Sequence, residues 1–178
     1  NNKLYKNQMI FEENGDDGDS YNYSPPVNDL IVNSLSSKEL EISKKVTEVY
    51  EELELKYSLK VPNNLEDRAK KLINSEMKYI VKIELRNNEE LIRFKVNVEN
   101  NAYSHRFCVV FDSEIASKVS TADQVFGAIE RPVRLKEMDV WEEEKWQEAP
   151  ISIEPFQSYV SLNNENGGIA LITDGVRE

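Results

Sequence analysis

A strict alternation of apolar with charged or polar residues is the feature that most constrains the fold of this chain. It runs through three stretches, residues 53–61, 79–85 and 92–98. Successive side chains of a β-strand point to opposite faces, so a period of two predicts a strand with one buried face. All three stretches are therefore predicted to be half-buried strands. The last two, joined by a turn of Asn and Glu residues, are predicted to form a β-hairpin.

Weaker patterns predict further short strands and little helix. Residues 40–50 are ambiguous: Ser36 and Glu39 fit a helical capping box, whereas apolar residues at even positions fit a strand, which is favoured. Residues 65–73 place their apolar side chains on one face of a short helix. The other predicted strands are 4–11, 105–111, 119–121, 125–130, 156–162 and 169–173, the last two forming a second hairpin.

Many short strands with little helix predict an all-β protein, an antiparallel β-sandwich with at most one short helix. The apolar stretch 105–111 is expected to be buried on both faces. The whole chain, residues 1–178, is expected to form a single domain. Its polar start and abrupt end lead us to expect a piece cut from a longer protein.

The chain is strongly acidic, with 22 Lys and Arg against 33 Asp and Glu and a formal net charge of −11. Nucleic acids and anionic membranes bind basic surfaces, so neither is expected as a partner. No apolar stretch reaches the roughly 18 residues of a membrane helix. The single cysteine, Cys108, offers no disulfide and is interpreted as a small core residue in a reducing compartment.

Residues 16–26 form the most unusual stretch, Asp-Asp-Gly-Asp-Ser-Tyr-Asn-Tyr-Ser-Pro-Pro. Gly18 permits backbone angles that other residues avoid, and Pro25 with Pro26 enforces an extended exit. The segment is predicted to be an exposed polar loop. Loops of this kind on a rigid scaffold often carry function.

The residues predict no metal or nucleophile site. Zinc needs several converging ligands, and His105 and Cys108, three apart in a strand, point to opposite faces. The acidic cluster at 16–19 lacks the spacing of an EF-hand and is interpreted as a solvated turn rather than a calcium loop. His105 and Arg106 are either a structural pair at a strand end or the rim of a site.

Two tryptophans, Trp141 and Trp146, lie in a long irregular stretch. They either clamp that stretch onto a sheet, which is favoured, or stack on sugar rings. Glycoside cleavage needs two carboxyl groups that face each other across the bond, and the sequence alone does not show such a pair.

Four segments together resemble the C-terminal β region of bacterial glycoside hydrolase family 38 α-mannosidases. They occur in the family's order, at residues 17–26, 105–111, 126–133 and 167–178. The resemblance implies a β-sandwich of the galactose-mutarotase-like type. It also implies a parent enzyme that is a retaining, zinc-dependent α-mannosidase acting on terminal α-mannosides in the bacterial cytoplasm.

In that family the zinc ligands and the nucleophile lie in an N-terminal domain, so this fragment is expected to hold no catalytic residue and no metal. Its partners are then the missing catalytic and helical domains, and the α-mannoside substrate. The segment Gly18-Asp19-Ser20-Tyr21 is similar to a family loop whose tyrosine contacts substrate. The resemblance therefore implies that Tyr21, with Asp19, binds substrate. No catalytic role is carried onto His105 or Arg106.

Two other functions remain open. One is a carbohydrate-binding module that stacks sugars on Trp141, Trp146, Tyr21 and Tyr23. The other is a structural interaction domain. A domain separated from its neighbours exposes the apolar face that contacted them, so the fragment is also expected to form homo-oligomers.

Overall fold

The computed structural model describes residues 4–19, 21–147 and 149–176, and in this part the chain is almost entirely β-structure. The chain divides into two compact units, residues 4–111 and residues 112–176. The prediction of one domain over residues 1–178 stays a prediction. Within the described residues, no helix has the length and apolarity that crossing a membrane would require.

The first unit contains two antiparallel sheets that pack around one core. One sheet has the strand order β2-β1-β7 and the other β3-β4-β5-β6. A short helix, α1 (Leu65–Ala69), joins β4 to β5, and the Asn64 side chain caps it by accepting the Asp67 N–H at 2.9 Å. The strands are β1 (Ile10–Gly15), β2 (Val32–Asn33), β3 (Lys38–Val46), β4 (Tyr50–Val61), β5 (Ser75–Arg86), β6 (Ile92–Glu99) and β7 (His105–Val110).

The core of this unit is aromatic at its centre. The Phe11 ring lies 4.8 Å from Tyr79 and stacks on Phe107 at 5.3 Å, centroid to centroid. Leu59 and Met77, which belong to the same core cluster, are fully buried. Leu59 on β4 and Met77 and Tyr79 on β5 occupy alternating positions of their strands, so the period of two in the sequence predicted the buried face of these two strands correctly. The predicted antiparallel sandwich, with one short α-helix in the described residues, is confirmed.

The second unit contains a four-stranded antiparallel sheet with the order β11-β10-β8-β9. Ala122 and Phe156 are its buried apolar residues among those described. Its strands are β8 (Val119–Gln124), β9 (Gly127–Pro132), β10 (Tyr159–Asn164) and β11 (Gly167–Ile172).

Several predicted elements have different bounds in the structure, among them the predicted strands 40–50, 119–121, 156–162 and 169–173, which are observed at Lys38–Val46, Val119–Gln124, Tyr159–Asn164 and Gly167–Ile172. Of the predicted strand 4–11, residues 4–9 are not strand, because Asn7 and Met9 have positive φ angles of 52° and 57° and the chain turns there before β1 begins at Ile10. Helix α1 ends at Ala69, and Lys71 follows with a φ of 57°, so the predicted helix was too long. The predicted strand 125–130 begins two residues late, at Gly127, after the turn between β8 and β9.

Strand β7 was wrongly predicted to be buried on both faces. It lies at the edge of its three-stranded sheet, paired with β1, and Val109 and Val110 near its end are exposed. An apolar run alone does not distinguish a central strand from an edge strand.

Candidate functional site

The polar loop of residues 16–26 leaves β1 and returns toward β2. Its described residues form no helix or strand, and most of them are exposed. Ser20 lies outside the described residues. The Tyr21 side chain is 92% exposed, so it stands clear of the rest of the unit. The loop therefore presents a tyrosine to whatever approaches it.

Two carboxylates hold the loop in shape from inside. Asp16 Oδ1 accepts the backbone N–H groups of Gly18 at 2.9 Å and of Ser24 at 3.1 Å. Asp19 Oδ1 accepts the N–H groups of Tyr21 at 2.7 Å and Asn22 at 3.0 Å. These two bonds, Tyr21 first, lower the pKa of Asp19 from its ordinary value of 3.8. Asp19 thus fixes the backbone that carries Tyr21.

Gly18 is required here for space rather than for an unusual backbone angle. A Cβ atom at this position would lie 1.8 Å from the carbonyl oxygen of Asn22. A backbone atom cannot move aside cheaply, so any side chain at Gly18 would force the loop to open. This close approach explains the glycine between the acidic residues.

Arg106 packs against the loop from β7. Its guanidinium carbon lies 4.1 Å from the centroid of the Tyr23 ring, which is a cation–π contact. Residues Arg106 and Asn14 are directly paired across β7 and β1. The sheet therefore supports Tyr23 while Tyr21 stays exposed.

A buried ionic cluster lies at the base of the loop. Glu13 on β1 is 0% exposed, and Arg68 on α1 is 1% exposed. Arg68 Nη2 pairs with Glu13 Oε1, and Arg68 Nη1 lies 3.2 Å from Asp29 Oδ1 and also donates to the carbonyl of Leu30. Charges this deeply buried are tolerated only when they are paired.

Asp29 connects this cluster to the start of the loop. Its two carboxylate oxygens accept the Gly15 N–H at 3.1 and 3.2 Å. The Asp16 N–H, one residue on, donates to the Ser104 carbonyl at 3.0 Å. Both ends of the loop are thus tied to the same buried framework.

His105 completes the cluster from β7. The Asn100 side-chain oxygen accepts the Ala102 N–H at 3.1 Å, which fixes the orientation of that amide. His105 Nε2, at 3.0 Å from the same oxygen, is therefore the donor in their hydrogen bond. Its other ring nitrogen, Nδ1, lies 3.2 Å from Glu13 Oε1. His105 is thus placed as a structural group beneath the loop.

The described residues do not form a metal site. Among them, no three His, Cys, Asp or Glu side chains are grouped as metal ligands would be. The residues present do not fit a zinc ion, and no chemical step in this chain is assigned to one. Cys108 is half-buried, and burial is the main cause that raises the pKa of its thiol.

The two tryptophans lie in the second unit, beyond a short 3₁₀-helix at Lys136–Asp139. Trp146 is partly exposed, and its indole N–H donates to Glu144 Oε2 at 2.8 Å. Trp141 is half-buried. The stacking role considered for them from the sequence stays a prediction.

The sequence identified the loop and the His105–Arg106 pair but not the anchor beneath them. Glu13 and Arg68 were missed because a charged residue in a strand or a short helix ordinarily faces solvent, and Asp29 was missed because it lies in an irregular segment between β1 and β2. Glu13 and Arg68 are 55 positions apart, so no local spacing connects them.

Comparison with known proteins places the chain in a family. A family model described as the glycosyl hydrolases family 38 C-terminal domain matches residues 2–178. The fold is similar to that of an α-mannosidase from Enterococcus faecalis V583, with a TM-score of 0.83 and 17% sequence identity. It is also similar to a glycosyl hydrolase family 38 protein from Enterococcus faecalis, with a TM-score of 0.79 and 16% identity.

Both likenesses cover 97% of this chain but only 20% and 21% of those proteins, so the chain spans about a fifth of their length. At these identities the solved structures establish the fold alone. None of the curated proteins matches the chain. Because the family model covers nearly all of its residues, the chain belongs to the family of glycosyl hydrolase family 38 C-terminal domains.

Proposed function

We propose that this chain is the non-catalytic C-terminal β domain of a retaining, zinc-dependent α-mannosidase that hydrolyses terminal α-mannosides. The proposal is supported by the family model over residues 2–178 and by the α-mannosidase with the same fold. In it, the zinc ion and the catalytic carboxylates belong to the rest of the parent protein, in the cytoplasm of a bacterium.

The part that this domain plays is to lend the loop of residues 16–26 to the rim of the active site. The observation that carries this role is the exposure of Tyr21 on a loop whose backbone is otherwise tied down at both ends. A phenolic hydroxyl both donates and accepts hydrogen bonds, which suits the neighbouring hydroxyls of a mannose ring. Asp19 contributes by fixing the Tyr21 backbone through Oδ1. In this proposal its second oxygen, Oδ2, accepts a hydrogen bond from a substrate hydroxyl.

The test uses the full-length parent enzyme and an aryl α-mannoside. Tyr21→Phe removes one hydroxyl and is expected to lower kcat/KM about threefold to tenfold, the worth of one hydrogen bond. Zinc content and thermal stability should stay unchanged. Tyr50→Phe, which removes a hydroxyl from β4 outside the loop, is the matched control and should leave turnover unaffected. Equal turnover in the parent enzyme and in Tyr21→Phe would refute the role of the loop.

A separate experiment tests whether catalysis requires the rest of the parent protein. The 178-residue chain alone should cleave no aryl α-mannoside, whereas the parent should lose activity to a chelator and regain it with Zn²⁺. The first product released by the parent should be α-mannose, as NMR of the fresh reaction mixture would reveal. Hydrolysis by the isolated chain would contradict the proposal.

A second candidate function is a carbohydrate-binding module, favoured by the partial exposure of Trp146. In this case the isolated chain would bind mannobiose saturably at sub-millimolar concentrations, and Trp141→Ala would abolish binding. If calorimetric titration with mannobiose detects no heat of binding, the carbohydrate-binding module is excluded and the role as a mannosidase domain remains.

A further inference from the structure

We infer that Arg68 is a positioning residue for the loop of residues 16–26, holding its two stems together from below and so fixing where Tyr21 stands. The stems are residues 13–15 before the loop and residues 27–30 after it. The inference rests on the proposed function, in which Tyr21 meets the substrate. Arg68 itself touches no part of the substrate in this scheme.

One guanidinium bridges both stems. Arg68 Nη2 pairs with Glu13 in the first stem, and Arg68 Nη1 bonds Asp29 and the Leu30 carbonyl in the second. Helix α1 supplies this side chain from a separate part of the chain, between β4 and β5. The loop closure is therefore anchored to the larger sheet and does not depend on the loop residues alone.

The stems also bond directly to each other through the carboxylate that Arg68 holds. Asp29 accepts the Gly15 N–H with both oxygens, at 3.1 and 3.2 Å. The fit around this contact is close, since a Cβ on Gly15 would lie 2.7 Å from Arg68 Cδ and 2.6 Å from Pro26 Cγ. Displacing the guanidinium would therefore release Asp29 and disturb the backbone of both stems.

The burial of this cluster argues for a role in specificity rather than stability alone. Desolvating several charges costs free energy, and well-packed apolar side chains often stabilise a core as well or better. What apolar side chains cannot do is fix directional bonds to a backbone N–H and a carbonyl. The cluster makes such bonds at both loop ends.

Lysine cannot replace arginine in this geometry. The guanidinium directs two nitrogens along fixed directions, whereas an ammonium group is a single point of charge on a flexible stem. Arg68→Lys keeps the positive charge but leaves one stem unheld. The matched control is the reverse exchange two positions on, Lys70→Arg, because Lys70 is exposed and pairs only with Glu66 among the described contacts.

The experiment is a double-mutant cycle in the full-length parent, with Arg68→Lys and Tyr21→Phe measured alone and together. Arg68→Lys should lower kcat/KM on an aryl α-mannoside by no more than the roughly threefold to tenfold loss expected for Tyr21→Phe, since it acts by displacing the Tyr21 hydroxyl. In the Tyr21→Phe background the same exchange should cost much less, because the residue it positions has lost its hydroxyl. Lys70→Arg should change nothing in either background.

Hydrogen exchange followed by mass spectrometry gives a readout independent of activity. In Arg68→Lys, exchange should speed up in peptides covering residues 16–24 and stay unchanged in β10 and β11. Unchanged exchange in the loop, or an equal loss of kcat/KM in both backgrounds, would overturn the inference.

Failure of the proposed substrate role of Tyr21 and failure of the positioning role of Arg68 give different results. If Tyr21→Phe alone leaves kcat/KM unaltered, the proposed substrate role fails, while loop exchange in Arg68→Lys still decides whether Arg68 positions the loop. Should Arg68→Lys not fold, Asp29→Asn enters the same cycle: it keeps the side-chain shape, weakens the bond to Arg68 and predicts the same coupling to Tyr21.

Discussion

Asp123 on β8 receives three hydrogen bonds from Ser158, two from its backbone N–H at 2.8 and 3.0 Å and one from its hydroxyl. The N–H groups of Gln157 and Tyr159 donate to the same carboxylate at 2.9 and 3.1 Å. Asp123 thus shapes the entry of the chain into β10. Desolvation acts to raise the pKa of Asp123, but the bonds from Ser158, Tyr159 and Gln157 outweigh it and hold the pKa well below 3.8.

We predict that Asp123→Asn destabilises the unit of residues 112–176 in a pH-dependent way. A carboxyl whose pKa is lowered by folding stabilises the protein above its unfolded pKa and loses that contribution as the pH falls toward the folded value. The difference in unfolding free energy between the two proteins should therefore be largest at neutral pH and shrink below about pH 4.

Urea unfolding at several pH values, followed by tryptophan fluorescence, measures this difference, because both tryptophans of the chain lie in that unit. Asp139→Asn is the control: its ion pair with Arg134 is exposed and should contribute little at any pH. A stability gap between the unsubstituted protein and Asp123→Asn that stays constant down to about pH 2 would contradict the assignment.

Arg68→Ala should lower the free energy of unfolding of the first unit by about 3–5 kcal/mol, since it removes the buried guanidinium that pairs with the buried Glu13 carboxylate. Lys70→Ala, next to the same helix but exposed, should have little effect. Far-UV circular dichroism during urea unfolding compares the two. Similar losses in both variants would mean that the buried pair does not govern stability here.

The Cys108 thiol should react slowly in the folded chain. Burial raises its pKa above the ordinary 9.0, an effect that the nearby Arg106 charge opposes only in part, so the reactive thiolate is scarce at about pH 8. Iodoacetamide labelling, followed by mass spectrometry, should accelerate strongly when guanidinium chloride unfolds the protein. Equal rates for folded and unfolded chains would show that the thiol is accessible and unperturbed.

A largely apolar row of exposed side chains crosses the larger sheet of the first unit at one end. Leu85 pairs with Ile92 on one side and with Glu51 on the other, and Glu51 in turn pairs with Val46 on β3. The three apolar side chains of this row are at least half exposed. We predict that the isolated chain self-associates through this row and that Ile92→Lys reduces the association. Light scattering over a concentration series measures it. Ile172→Lys on β11, also exposed, is the control and should not change the apparent mass.

The strands that the sequence predicted best are those in which the alternation of neighbouring residues determines which face is buried. In β4 and β5 every second residue is apolar over most of the strand, and that pattern selects the buried face. In β6 the same pattern predicted a half-buried strand, but Ile92, Phe94 and Val98 are exposed. The turn at Asn7 and Met9 was missed because a single Asn or Met does not by itself predict a positive φ angle. The apolar residues around them therefore led to the prediction of a strand. At this turn the backbone conformation, and not the pattern of apolar side chains, determines the structure.

The candidate site was predictable only at its surface. The composition of residues 16–26 marks an exposed loop, and Tyr21 is indeed at its open side. Glu13 and Arg68, in contrast, gained their partners only when distant segments packed together, and a single sequence carries no sign of such a pairing. His105 was singled out by position in its strand, but its contact with Glu13 depends on the register of β1 and β7.

The closed stems also make the loop a scaffold for engineering. Asp29 accepts the Gly15 N–H and closes the segment, so exposed side chains within it can vary while Asp16, Gly18 and Asp19 are kept. Within it, Asp16 and Asp19 set the backbone, whereas the side chains of Tyr21 and Asn22 are exposed. A library randomised at those two positions would sample new surface chemistry on a constant scaffold, the arrangement by which antibody frameworks display variable loops.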